Sequence, residues 1–349
     1  MLLSVVIPVF NEEEVLPRLF EVLPEELDKL GCDYELVFVD DGSRDGSLSF
    51  LLSRANHNPK VKVLAFSRNF GHQAAITAGM DFASGDALVV MDADLQDPPE
   101  LLATMLAKFH EGYDIVSAQR ISREGESWFK RATADCFYGL MKRAVDERLQ
   151  AQVGDFRLFS RAAVECLKSF REQHRFMRGI VAWLGLKEAI VPFHRRARFA
   201  GTTKYPAWKM MRFAWTAISS FSALPLKLSL YGGIALIILG LTYSAYVIFE
   251  NMIMKSTVPG WSSTICLILT FDGTILIAVG LIGDYVARIY EEIKGRPLYV
   301  INGMRNFAPG AGKPERAICI PRDSWEIQSQ IPNRIAHENI DNPTQGPQS

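Results

Sequence analysis

The chain has 349 residues, a formal net charge of -1 and 48% hydrophobic residues. It is long enough for one large domain and a further part, too balanced in charge for a globally basic nucleic-acid binder, and apolar enough to place some of its length outside water. Five cysteines, Cys32, Cys136, Cys166, Cys266 and Cys319, are scattered without Cys-x-x-Cys spacing, which indicates neither a disulfide framework nor a zinc site and fits a reducing cytosol. No basic stretch followed by an apolar run opens the chain, so no signal peptide is expected.

Leu2 to Phe10 is a continuous β-branched run and predicts a strand covered on both faces. Asn11-Glu12-Glu13-Glu14 predicts a helix start with acids in its first turn. Tyr34 to Val39 predicts a second strand, ending in Asp40-Asp41-Gly42-Ser43, with a helix from Ser47. Val61 to Phe66, a helix over Ala74 to Ala83, and a strand over Ala87 to Met91 continue the alternation. Strand and helix in this order predict a doubly wound, mostly parallel sheet with helices on both faces. In such sheets ligands bind beyond the carboxyl ends of the strands, where Asn11-Glu12, Asp40-Asp41, Ser67-Arg68-Asn69 and Asp92-x-Asp94 all fall. Any one of these also suits a helix cap or a solvated turn, and capping is an equal reading for Ser43 and Asn11.

Asp92 and Asp94 are one residue apart at the end of a buried run, so strand alternation puts both carboxylates on one face, with Gln96 in reach if the chain stays extended. Hard oxygens of this kind suit Mg²⁺ or Mn²⁺, with the rest of the shell drawn from water and substrate phosphates. Neither a Gly-x-x-x-x-Gly-Lys-Ser/Thr loop nor a Gly-x-Gly-x-x-Gly fingerprint is present, which disfavours a P-loop NTPase or a dinucleotide enzyme.

Beyond a strand at Asp114 to Ala118, Arg120, Arg123, Lys130, Arg131, Lys142 and Arg143 alternate with Trp128, Phe129, Phe137 and Tyr138, a pattern for an interfacial helix or for an ordinary amphipathic one. The His194 to Tyr205 segment gathers Arg195, Arg196, Arg198 and Lys204 around Gly201, a grouping suited to phosphate. Leu228 to Phe249 has no charged side chain over about twenty residues, enough to cross a bilayer, and a second apolar run spans about 259 to 283. Lysines and arginines flank the pair on both outer sides, so the positive-inside bias places both flanks in the cytosol. Asp272 interrupts the second run and is expected to hydrogen-bond within a helix bundle through Thr242, Tyr243 or Ser244. The domain plan is therefore 1–205 cytosolic catalytic domain, 206–227 amphipathic interfacial helices, 228–249 and 259–283 transmembrane helices, 284–305 a juxtamembrane segment and 306–349 a disordered tail.

Six stretches, Val6 to Glu13, Asp40 to Ser43, Ser67 to Gly71, Asp92 to Pro99, Gly154 to Leu158 and Gly201 to Tyr205, together resemble the ordered motifs of family 2 glycosyltransferases. The subgroup resembled is the polyprenyl-phosphate glycosyltransferases, over residues 2 to about 304. That resemblance implies a GT-A fold with a C-terminal transmembrane hairpin, and inverting, metal-dependent transfer of a hexose to polyprenyl (undecaprenyl) phosphate. Glucose from UDP-glucose is the preferred donor and GDP-mannose the alternative. By motif, Pro8, Val9, Glu12 and Asp40 would bind the nucleotide, and Asp92, Asp94 and Gln96 the Mg²⁺ or Mn²⁺. Asp155 and Asp94 would be catalytic, while Arg131, Arg157, Arg198 and Lys204 would meet phosphates. It also implies a protein of the bacterial inner membrane; the two spans and the charge bias predict a multi-pass topology with both termini cytosolic, Asp272 a homo-oligomer, and the net charge no nucleic-acid partner. A reading of another class is a non-catalytic membrane scaffold with the same fold, which would be expected to lose the metal acids.

Overall fold

The computed structural model describes residues 1–121, 153–173, 175–194, 224–254, 260–308 and 317–319. The basic stretch after Ile121, with Arg131, and the segment holding Arg198 and Lys204 lie outside the described residues, as does most of the expected 206–227 interfacial region.

Strands β1 (Leu2–Val9), β2 (Asp33–Asp40), β3 (Val61–Phe66) and β4 (Ala87–Val90) alternate with helices α1 (Leu16–Asp28), α2 (Ser47–His57) and α3 (His72–Phe82). Helix α4 (Leu101–His110), strands β5 (Ile115–Arg120) and β6 (Val153–Ser160), helices α5 (Arg161–Ser169) and α6 (Met177–Leu184), and strand β7 (Glu188–Phe193) follow. Two long helices, α7 (Leu224–Met254) and α8 (Trp261–Ile293), lead into β8 (Tyr299–Arg305) and the short β9 (Ala317–Cys319). The nine strands among the described residues form one sheet in the order β7-β5-β6-β4-β1-β2-β3-β8-β9.

The four-strand centre is parallel, as the alternation predicts. The sheet as a whole is mixed, because β6 runs antiparallel between β4 and β5, and β8 lies antiparallel against β3. The continuous apolar runs of the central strands serve two cores at once. Leu3, Val5, Ile7, Leu36 and Phe38 pack toward Leu16, Leu19, Leu51, Leu102 and Met105 on one face. Val6, Val37, Val39, Leu64 and Val90 pack toward Ile76, Met80, Val164 and Ile180 on the other. Burial of each such side chain stabilises the fold by about 1.5–3 kcal/mol before chain entropy is set against it.

Helix α1 starts at Leu16, later than the acids at Glu12 to Glu14 predict, because those residues are held in a turn. The backbone N–H groups of Asn11 and Glu12 donate to Ser43 Oγ and Ser47 Oγ at 3.0 and 2.9 Å, and Asn11 Oδ1 accepts from Arg44 N at 2.8 Å. Asn11 and Ser43 therefore lace two rim loops together instead of capping helices. At the C-terminal end of the chain, the segment expected to be a plain juxtamembrane linker contributes a sheet strand, β8, and the region expected to be a disordered tail contributes β9. Asn306 Nδ2 fixes the exit from β8 by donating to the carbonyls of Ala55 and Val61 at 2.6 and 2.8 Å.

Helix α8 has one window, Phe271–Ile293, long and apolar enough to cross a membrane. Helix α7 covers the first predicted span, and its Ser229–Gly240 part is a shorter apolar stretch. Asp272 is exposed on α8 and makes no hydrogen bond or ion pair among the described residues. Thr242, one of its expected partners, donates instead to Ile238 O in its own helix at 2.8 Å.

Candidate active site

The candidate residues collect at the carboxyl edge of β1, β2 and β4. Strand β4 stops at Val90, and Leu95 takes a left-handed φ of 56°, so residues 92–97 form a turn and not the extended run expected of them. Side-chain alternation therefore does not place Asp92, Asp94 and Gln96. The turn does: Asp94 Oδ1 accepts from Gln96 N at 3.1 Å, and Asp97 Oδ2 accepts from Asp92 N at 3.2 Å.

Asp155 arrives from β6. The antiparallel register ends where Val90 pairs with Arg157, two residues before Asp92 on one chain segment and two residues after Asp155 on the other. His72, the first residue of α3, fills the space between them, its Nε2 3.6 Å from Asp92 Oδ1 and 3.4 Å from Asp155 Oδ2. Arg178 Nε on α6 lies 3.4 Å from Asp155 Oδ1, and Gln73 Nε2 donates to Asp155 Oδ2 at 3.2 Å. Burial alone would lower the His72 pKa, but the bond to Asp155 and the charges of Asp92 and Asp155 raise it to about 9. Burial would likewise raise Asp155, and the His72 bond with the Arg178 charge overcomes this and holds its carboxyl well below the usual range. Asp155 is therefore a fixed anion.

Asp92 and Asp97 are shifted the other way. Burial, then the neighbouring charge of Asp92, raises Asp97 to about 7, and burial raises Asp92. Asp97 Oδ1 and Gln96 Oε1 are buried with no hydrogen-bond partner. Among the described residues no group of three or more His, Cys, Asp or Glu side chains is arranged to hold a metal. The oxygen set of Asp92, Asp94 and Gln96 nevertheless fits an open Mg²⁺ or Mn²⁺ position, because crowded acids and an orphaned amide oxygen are what a cation completed by water and phosphate would offset.

Pro8 and Val9 are buried at the end of β1, beside Asp40 in register with Val9. Asp40 is 1% exposed; Oδ2 accepts from Ser43 N at 3.2 Å while Oδ1 is buried with no hydrogen-bond partner, an unmet acceptor at the rim. Asp41 faces elsewhere, its carboxylate taking the N–H groups of Phe70 and Gly71 at 2.7 and 3.0 Å. That loop passes so close that a Cβ on Gly42, whose φ is 70°, would meet Arg68 C at 2.6 Å. Arg157, two residues on from Asp155 along β6, is 4% exposed, with Nε and Nη1 without a hydrogen-bond partner. Clefts lined by Leu30, Cys32 and Leu106, and by Phe20, Arg54 and Val61, contain none of these residues.

Residues 4–168 match the model of glycosyl transferase family 2. The uncharacterized glycosyltransferase YkcC of Bacillus subtilis is 46% identical over 298 residues, which are 85% of this chain and 92% of that protein. A prophage bactoprenol glucosyl transferase homolog of Escherichia coli is 39% identical over 305 residues, 87% of this chain and all of its own length. The bactoprenol glucosyl transferase of Shigella phage SfV is 39% identical over 301 residues, 86% of this chain and 98% of its own. These relationships run through the catalytic domain and both long helices, and with the GT-A-like mixed sheet they establish that the chain is a glycosyltransferase belonging to glycosyl transferase family 2.

Proposed function

We propose that the protein transfers glucose from UDP-glucose to polyprenyl phosphate at the cytosolic face of a bacterial inner membrane, with inversion at the sugar carbon. The observation that carries this reading is the meeting of Asp92, His72 and Asp155 beside the 92–97 turn, at the edge where Asp40 leaves an unpaired acceptor. The relatives named as bactoprenol glucosyl transferases support the lipid acceptor and the glucose.

In this reading Pro8, Val9, Glu12 and Asp40 receive the base and ribose. Asp92, Asp94 and Gln96 hold Mg²⁺ or Mn²⁺, which when bound would neutralise charge on the departing diphosphate. Asp155 orients the acceptor and does not remove its proton, since an ionised lipid phosphate is already nucleophilic and Asp155 is pinned by two basic side chains. Arg131, Arg198 and Lys204 serve the phosphates, and Arg157, buried on β6, adds its charge from behind Asp155. Helices α7 and α8 form a two-pass hairpin with both termini cytosolic, supported by the Lys/Arg asymmetry and by the apolar window on α8. A second copy of the chain covers Asp272.

The test is transfer of radiolabel from UDP-glucose, with undecaprenyl phosphate present, into a product extractable by organic solvent. Label that stays aqueous overturns the lipid acceptor, and extraction only from GDP-mannose in a parallel arm reassigns the donor.

A further inference from the structure

The site is electrically divided. Asp92, Asp94 and Asp97 crowd one side, and around the single carboxylate of Asp155 stand three basic side chains, His72, Arg157 and Arg178. Arg157 is enclosed in the sheet layer, whereas the Arg178 side chain is 31% exposed. Its place on α6 is fixed by the buried neighbours Met177, Gly179 and Ile180. Only its Nε is used by the protein, toward Asp155 at 3.4 Å, and neither terminal nitrogen has a partner among the described residues. A guanidinium anchored through Nε presents its two Nη groups as a fork of the spacing that phosphoryl oxygens accept.

We propose that Arg178 is a phosphate-binding residue, aimed by Asp155, which takes a phosphoryl group of one of the two substrates. This rests on the transferase reading above and adds to it a residue outside the motifs that carry the family resemblance. Asp155 acquires a second duty: it is the support of the fork, so its loss should weaken the same ligand.

The test is equilibrium binding to the full-length protein in detergent micelles, with UDP and farnesyl phosphate as separate probes. R178Q should weaken one probe by about 10- to 100-fold, the range for loss of a charge-assisted hydrogen-bonded pair, and leave the melting temperature unchanged. R178K, which keeps the charge and loses the fork, should fall between R178Q and the native protein. Loss confined to farnesyl phosphate assigns the fork to the acceptor, and loss confined to UDP assigns it to the donor diphosphate. Unchanged affinity for both probes overturns the proposal, as do equal losses for both with a lowered melting temperature, the signature of a purely structural residue. Should R178Q not fold, native affinity of R178K for both probes overturns it. Probe binding by a native protein that transfers no sugar would refute the transferase reading separately, leaving Arg178 to be judged on affinity.

Discussion

Tyr299 Oη donates to Asp81 Oδ2 at 2.6 Å, joining the last long strand to the end of α3 across a sequence separation of 218. The same carboxylate takes both terminal nitrogens of Arg171 at 2.7 and 2.8 Å, with Asp81 and Arg171 side chains only 1% and 10% exposed. Asp81→Ala removes the carboxylate that holds the buried Arg171 guanidinium and is expected to cost about 3–5 kcal/mol. Tyr299→Phe keeps the ring stacked on Phe66 and loses only the hydroxyl, at about 1 kcal/mol. Denaturant unfolding of the two variants checks the order, and equal losses would contradict it.

Acid stability is expected to depend on Glu35. Burial would raise its pKa, but Lys62 Nζ and Ser4 Oγ, each at 2.5 Å, and the Ser84 N–H at 2.7 Å together hold it lower than in the unfolded chain. A carboxyl depressed in this way contributes stability above its unfolded pKa and loses it as pH falls through the folded value. The native protein should therefore lose stability on acidification below the ordinary glutamate range more steeply than Glu35→Gln. Melting temperatures from pH 7 to pH 3 measure the difference, and parallel curves would remove Glu35 from the account.

Asp94→Asn keeps the shape of the turn and removes one charge from the oxygen set. It is expected to fold normally and, if Asp94 holds a cation as proposed, to lose at least about 100-fold in transfer. Activity of the native protein that persists in excess EDTA would refute metal dependence.

For topology, a cysteine placed at Lys255 in a chain lacking the native thiols should react with an impermeant maleimide in intact cells, and one placed at Arg296 should not. The opposite pattern reverses the orientation, and protection of both sites refutes the two-pass hairpin.

The central parallel strands were legible because strands covered on both faces must be apolar throughout, and Leu2 to Val9 and Val61 to Phe66 are. The 92–97 turn was not, because its shape depends on the left-handed Leu95, and period-two reasoning has no force once a strand has ended. Strand β6 was hidden by Asp155 and Arg157, which break its apolar pattern, and its antiparallel insertion follows from long-range pairing. The same pairing brings Gln73 within 3.2 Å of Asp155 over a separation of 82 residues, and with it His72, which directly follows the Ser67 to Gly71 motif. Arg178 carries no local mark at all: a basic residue near the start of a short apolar helix reads as solvated until α6 is placed against β6.

Between the end of α8 at Ile293 and the start of β8 at Tyr299 there are few residues, and they are pinned at both ends. Glu292 Oε2 accepts from Gln173 N at 2.9 Å, the Arg296 carbonyl accepts from Gln173 Nε2, and β8 is stitched to β3. Such a joint is short and held on both sides, which ties the tilt of the long helix to that of the catalytic sheet. The height of the reaction edge along the helix axis is then set by this short connection and its hydrogen bonds, which leaves travel between that edge and the acceptor to the lipid.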